Sequence, residues 1–95
     1  MIINDVIVTN KGGDPVKTVD LLHLNGHSTN QFNVYSVLDN GDCIGYIRAR
    51  KHISGRPNPR RKPWSNGRMN QSTSEIEWAG DHATRNNALR SVIGV

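Results

Sequence analysis

Apolar and polar positions are most ordered between Phe32 and Lys51, FNVYSVLDNGDCIGYIRARK. Two apolar runs flank Asn40-Gly41, the dipeptide best suited to positive φ at both central positions of a type I′ turn, so the stretch reads as a β-hairpin. A two-residue turn sets Leu38 opposite Cys43, Val37 opposite Ile44, Ser36 opposite Gly45, Tyr35 opposite Tyr46, Val34 opposite Ile47 and Asn33 opposite Arg48. One face then carries Phe32, Val34, Ser36, Leu38, Cys43, Gly45, Ile47 and Ala49 and reads as core, with Cys43 a small core hydrophobe. The other carries Asn33, Tyr35, Val37, Ile44, Tyr46, Arg48 and Arg50, an aromatic and basic surface free to stay wet.

Ahead of the hairpin, Ile2 to Thr9 is rich in Ile and Val and reads as a strand ended by the turn composition Asn10-Lys11-Gly12-Gly13. Residues 15–24 read as a short helix. Asp14 serves as N-cap, Pro15 as first helical residue, Val16, Val19 and Leu22 recur at helical spacing, and Asn25-Gly26 is a stop. The β-branched Val16, Thr18 and Val19 keep a second strand as the competing reading. His27 to Gln31 is polar linker.

Beyond the hairpin, HISGRPNPRRKPWSNGRMNQSTS has no usable periodicity and holds three of the four prolines, so residues 52–73 read as a long, mobile basic arm. Glu75 to Ala79 alternates strictly and should add a strand beside the hairpin, with Ile76 and Trp78 inward and Glu75 and Glu77 on the exposed face with Arg48 and Arg50. Gly80-Asp81 should then turn the chain. Thr84 is a good N-cap for a final helix whose stripe of Ala88, Leu89, Val92 and Ile93 covers Val34, Ile47 and Trp78, and Gly94 is its stop. The expected architecture is a single α+β domain over residues 1–95: an antiparallel sheet of three to four strands, a C-terminal helix packed on one face and a long basic loop before the last strand.

Size and charge narrow the function. A 95-residue chain buries roughly 60–65% of its unfolded surface. With 35% hydrophobic residues it has no room for a second domain or a deep cofactor cleft. Eight of the twelve Lys and Arg fall between Arg48 and Arg68, where there is no Asp or Glu, leaving a +8 lobe on a −4 body. That distribution suits a polyanion first, with an acidic protein surface or an arm that its charge merely keeps solvated as the competing readings. The single cysteine excludes an internal disulfide, no run is long and apolar enough for a membrane span, and the start lacks a signal-peptide pattern, so the expectation is a cytoplasmic protein without membrane contact.

The candidate chemistry is binding. Arg56, Arg60, Arg61 and Lys62, with Trp64 and Arg68 interleaved, combine phosphate neutralisation with an aromatic able to stack on a base, and Pro57, Pro59 and Pro63 keep the arm extended. Arg48, Arg50 and Lys51, with the cross-strand pair Tyr35 and Tyr46, extend the surface onto the hairpin; the same tyrosines serve equally as ordinary sheet stabilisation. His23, His27, Cys43, His52 and His82 do not make a metal site, because Gly26 breaks the helix that the His23–His27 spacing needs. Asp39, Asp42 and Asp81 sit at turns, where Asp bonds its own backbone. No nucleophile, base and orienter set stands out. The expectation is therefore a non-enzyme without cofactor or metal.

From Phe32 onward the element order of hairpin, third strand with a buried Trp, and the Thr-capped helix at TRNNALRSV is similar to small three-stranded-sheet-plus-helix DNA-binding domains, such as the arm-binding domains of tyrosine integrases and the plant ethylene-response-factor domain. The resemblance covers about two-thirds of the chain and carries no diagnostic motif. It implies that the exposed sheet face, with Tyr35, Tyr46, Arg48 and Arg50, enters a DNA major groove. The long insertion and Glu75 and Glu77 depart from it. The expected function is non-catalytic binding of nucleic acid, with DNA favoured; the alternative is a small phage or mobile-element protein that clamps a host protein.

Overall fold

The computed structural model describes residues 1–51 and 62–95, and these form a six-stranded antiparallel sheet with one short helix. The strands are β1 (Ile2–Thr9), β2 (Pro15–His23), β3 (Phe32–Asp39), β4 (Asp42–Arg50), β5 (Trp64–Asn70) and β6 (Glu75–His82); the helix is α1 (Arg85–Ile93). Every strand lies beside its sequence neighbours, in the order β1-β2-β3-β4-β5-β6. The α+β class holds, but the expected sheet of three to four strands is corrected to six by β2 and β5.

β2 replaces the helix expected over residues 15–24. Val19 and Leu21 are buried while Val16 and Leu22 are exposed, which is a period of two. Val19 pairs with Val6, and Leu21 lies between Ile3 and Val37, so tertiary packing on the pleat overrides the helical spacing. Pro15 stands at the first residue of its strand, a position where proline is tolerated.

β5 replaces the second half of the expected loop. Its small residues Ser65 and Gly67 are buried, and a Cβ on Gly67 would lie 2.8 Å from the Glu77 carbonyl oxygen and from Trp78 Cε3. Burial here is achieved by small residues, so no apolar alternation marks the strand. β5 also separates β6 from the hairpin, correcting the expected β6–hairpin contact. β6 runs through Gly80 and Asp81, which were expected to turn the chain, with a register shift opposite Asn66 and Gly67.

The hairpin turn is as expected, with φ of 51° at Asn40 and 86° at Gly41, and Leu38 faces Cys43. A bulge then slips the ladder by one: Val37 pairs with Gly45, Ser36 with Tyr46, Tyr35 with Ile47 and Val34 with Arg48. An added Cβ on Gly45 would stand 2.7 Å from Val92 Cγ1 of α1, which fixes the face that β4 turns to the helix. Gly45 must face the helix, and Ile47 follows it inward. β4 thus keeps its expected faces while β3 reverses, because a one-residue slip exchanges all the partners. Val37 and Tyr35 meet the helix side; Val34 and Ser36 lie on the other. Cys43 is exposed, accepting the Ser36 hydroxyl at 3.1 Å, and is not a core residue.

α1 has the expected caps. Thr84 Oγ1 accepts the Asn87 N–H at 3.1 Å, and Gly94, at φ 90°, donates its N–H to Arg90. Asn86 fixes the helix to β1 by donating to the Thr9 carbonyl and accepting its N–H. Ala88 and Leu89 join Val6, Val8, Val19, Leu21, Val37 and Ile47 in the core. α1 therefore covers Ile47 as expected but not Val34 or Trp78, which occupy the opposite, open face. On the outer strand β1, Asp5 takes φ 58° within a register break between Ile3 and Val6, and its N–H reaches the Asp20 carboxylate at 2.9 Å.

Candidate nucleic-acid interface

Strand alternation and the hairpin slip bring Phe32, Val34, Tyr46, Arg48, Arg50, Ile76 and Trp78 to the open face. The Arg48 guanidinium lies over the Phe32 ring at 4.2 Å and over the Trp78 ring at 4.5 Å, so it packs against two aromatic rings. Arg50 approaches the same Phe32 ring at 5.2 Å. Cation–π contacts of this kind contribute about 0.5–2 kcal/mol each, more as the cation is desolvated. Trp78 packs against Gly67, whose missing side chain makes the room.

Burial lowers the Arg48 pKa, the Asp81 carboxylate opposes that shift, and Arg50 adds to it. Arginine stays charged at neutral pH nonetheless. Asp81 itself accepts the buried Ser65 hydroxyl at 2.8 Å. Arg48 Nε is shielded from solvent and has no hydrogen-bond partner among the described residues. Tyr46 is pushed above the usual phenol range by its hydrogen bond with Cys43, then by burial.

Arg50, Lys51 and Lys62 lie where β4 ends and β5 begins. The Arg50 N–H donates to the Pro63 carbonyl at 2.9 Å, bringing the end of β4 beside the start of β5, and the Lys51 N–H donates to the Gln31 carbonyl at 2.7 Å. Arg50, Lys51 and Lys62 are exposed. The ion pair found among the described residues is Lys17–Asp39 at 2.7 Å, so none of these cations is neutralised by a described carboxylate. Arg56, Arg60 and Arg61, with His52, lie outside the described residues.

Three expected site residues stand elsewhere. Tyr35 turns to the helix side, packs on the core and meets His23 edge-to-face at 5.3 Å, so it does not pair with Tyr46. Trp64 opens β5 and packs on the core. Arg68 is exposed opposite Glu77, on the face away from Arg48. Glu75 and Glu77 do not consume the positive face: β5 lies between them and β4, and Glu77 accepts instead from Asn70 at 2.6 Å. Phe32 and Trp78 join the site unexpectedly. The signal for Trp78 was Gly67, a residue without bulk beneath it.

Among the described residues, no three His, Cys, Asp or Glu converge as metal ligands, and no helix is long and apolar enough to cross a membrane. Comparison with protein-family models, curated proteins and solved structures finds no match to this chain.

Proposed function

We propose that this chain is a non-catalytic nucleic-acid-binding protein, with DNA as the favoured ligand, whose open sheet face is the contact surface. The observation that carries the reading is the pair Arg48 and Arg50 beside the Phe32 and Trp78 rings on the uncovered face, with exposed Lys51 and Lys62 at the adjoining ends of β4 and β5, none of them in an ion pair with a described carboxylate. Lysine and arginine neutralise phosphates, and aromatic faces take unstacked bases. In sequence, the basic segment 52–61, with Arg56, Arg60 and Arg61, joins Lys51 to Lys62.

The test is the salt dependence of binding to mixed-sequence DNA. Replacing Arg50, Lys51 and Lys62 together by Ala should flatten the slope of log K against log salt by roughly three units, each cation counted as one phosphate contact. A triple variant that binds as tightly as wild type at low salt, with the same slope, would retire the reading. A second reading, a small phage or mobile-element protein clamping a host protein, is favoured by exposed Ile2, Ile7 and Leu22 on the β1–β2 end of the open face. It calls for binding insensitive to salt and lost on changing Ile2 and Leu22 to Ser.

A further inference from the structure

Arg48 of β4, Ser65 of β5 and Asp81 of β6 stand in one row across the open face. Asp81 is there because its strand is irregular. Glu75 and Glu77 alternate onto the side opposite Ile76 and Trp78, and unbroken alternation would send Asp81 with them. Instead Trp78 pairs with Gly67 and Gly80 with Asn66, which leaves Ala79 without a partner, so the strand resumes one residue out of phase and Asp81 meets Ser65. The buried Ser65 hydroxyl donates to Asp81 Oδ1 at 2.8 Å, which ties an exposed carboxylate to the sheet. It stands near enough to act on the charge of Arg48, yet the two make no ion pair.

The fold does not require that charge. An asparagine oxygen would accept the same hydroxyl, and the Asp81 side chain has no other hydrogen bond among the described residues. What the charge alters is the surface around it: Arg50, Lys51 and Lys62 attract phosphates, and a carboxylate on the β6 side of Arg48 repels them. We infer that Asp81 is a specificity-determining residue of this face, a fixed negative charge that keeps phosphates off the part shared by Arg48 and Trp78 and confines them to the end where β4 meets β5; the inference rests on the nucleic-acid reading above. A like charge set against one mode of contact is how a binding surface excludes it. The backbone of the ligand then runs past Lys51 and Lys62, and its bases face the Trp78 ring.

The experiment measures fluorescence anisotropy of the full chain with labelled mixed-sequence DNA and with labelled inorganic polyphosphate, an anion without bases, at roughly 0.1 M salt, where the screening length is about 10 Å. Asp81→Asn, which keeps the acceptor for Ser65 and removes the charge, should bind both probes about threefold tighter, with the gain shrinking as salt is raised. A merely structural role for Asp81 would give no gain. Glu77→Gln makes the same change in net charge from the opposite face and should bind as wild type does. Asp81→Asn binding no tighter than wild type, or an equal gain in Glu77→Gln, overturns the inference while phosphate binding stands. A gain on DNA without one on polyphosphate overturns it too, because Asp81 would then act on a base. Wild type and Asp81→Asn that bind neither probe overturn both this inference and the nucleic-acid reading.

Discussion

On the covered face, Val19, Leu21, Val37, Ile47 and Leu89 are 0–2% exposed and meet only one another and their neighbours in the core. On the open face, Arg48 holds the central position that an aliphatic residue would take, between Phe32 and Trp78, with Nε shielded and unpartnered among the described residues. The first arrangement is what burial of apolar area selects. The second spends desolvation of a charged group that a leucine would avoid. The two faces of one sheet therefore differ: the helix side buries apolar side chains alone, and the open side holds a partly desolvated cation against two aromatic rings.

The largest effect expected from breaking this comparison lies under the helix. Leu89→Ala should cost about 2–5 kcal/mol in chemical denaturation, a large part of a small domain's stability. DNA affinity of the molecules that remain folded should not change; a change would mean that the two faces do not act separately. Gly45→Ala should cost about 1–3 kcal/mol, because the new methyl group runs into Val92. Combining it with Val92→Ala should recover part of that loss, and strict additivity in the double variant would remove Val92 as the neighbour that requires a glycine at position 45.

Trp78→Ala should invert the pattern. Being half-buried, Trp78 should cost about 1–2 kcal/mol, below the range for a core tryptophan. DNA affinity should fall about tenfold with the salt slope kept, since an uncharged ring is lost. A stability loss as large as that of Leu89→Ala, with affinity unchanged, would make the open face a second core. The smallest effect concerns Tyr46, whose folded pKa is raised. Its contribution to stability is complete below the ordinary phenol pKa and is lost as pH rises through the folded value. Ultraviolet titration should show the raised phenol, and Cys43→Ala should lower it toward the ordinary value.

The legible parts of the fold are those whose local chemistry agrees with their packing. Asn40-Gly41, Thr84, Gly94 and the Ile76–Trp78 alternation each announce their element, and β4 shows its outward set of Tyr46, Arg48 and Arg50 directly. β5 was illegible because Ser65 and Gly67 are buried without being hydrophobic. β2 was obscured by Val16 and Leu22, apolar residues that stay exposed and complete a false helical stripe. The site was half legible for a related reason. A bulge at Ile44 leaves no mark in the sequence, yet it turns Tyr35 inward and delivers Val34 to Arg48. Trp64 looked like part of a basic arm because charge surrounds it in sequence, whereas in space it packs on the core.

An open sheet has two rims, and each is a template on which another chain could grow. Here neither is straight. Asp5 breaks the outer ladder of β1 with a left-handed residue whose N–H is already taken by Asp20, and β6 carries its own irregularity opposite Asn66 and Gly67. A bulged rim twists away from the flat, in-register stacking on which fibrils depend. The register break at Asp5 thus interrupts the flat edge that a further strand would need, with Ile2 and Ile7 exposed on either side of it.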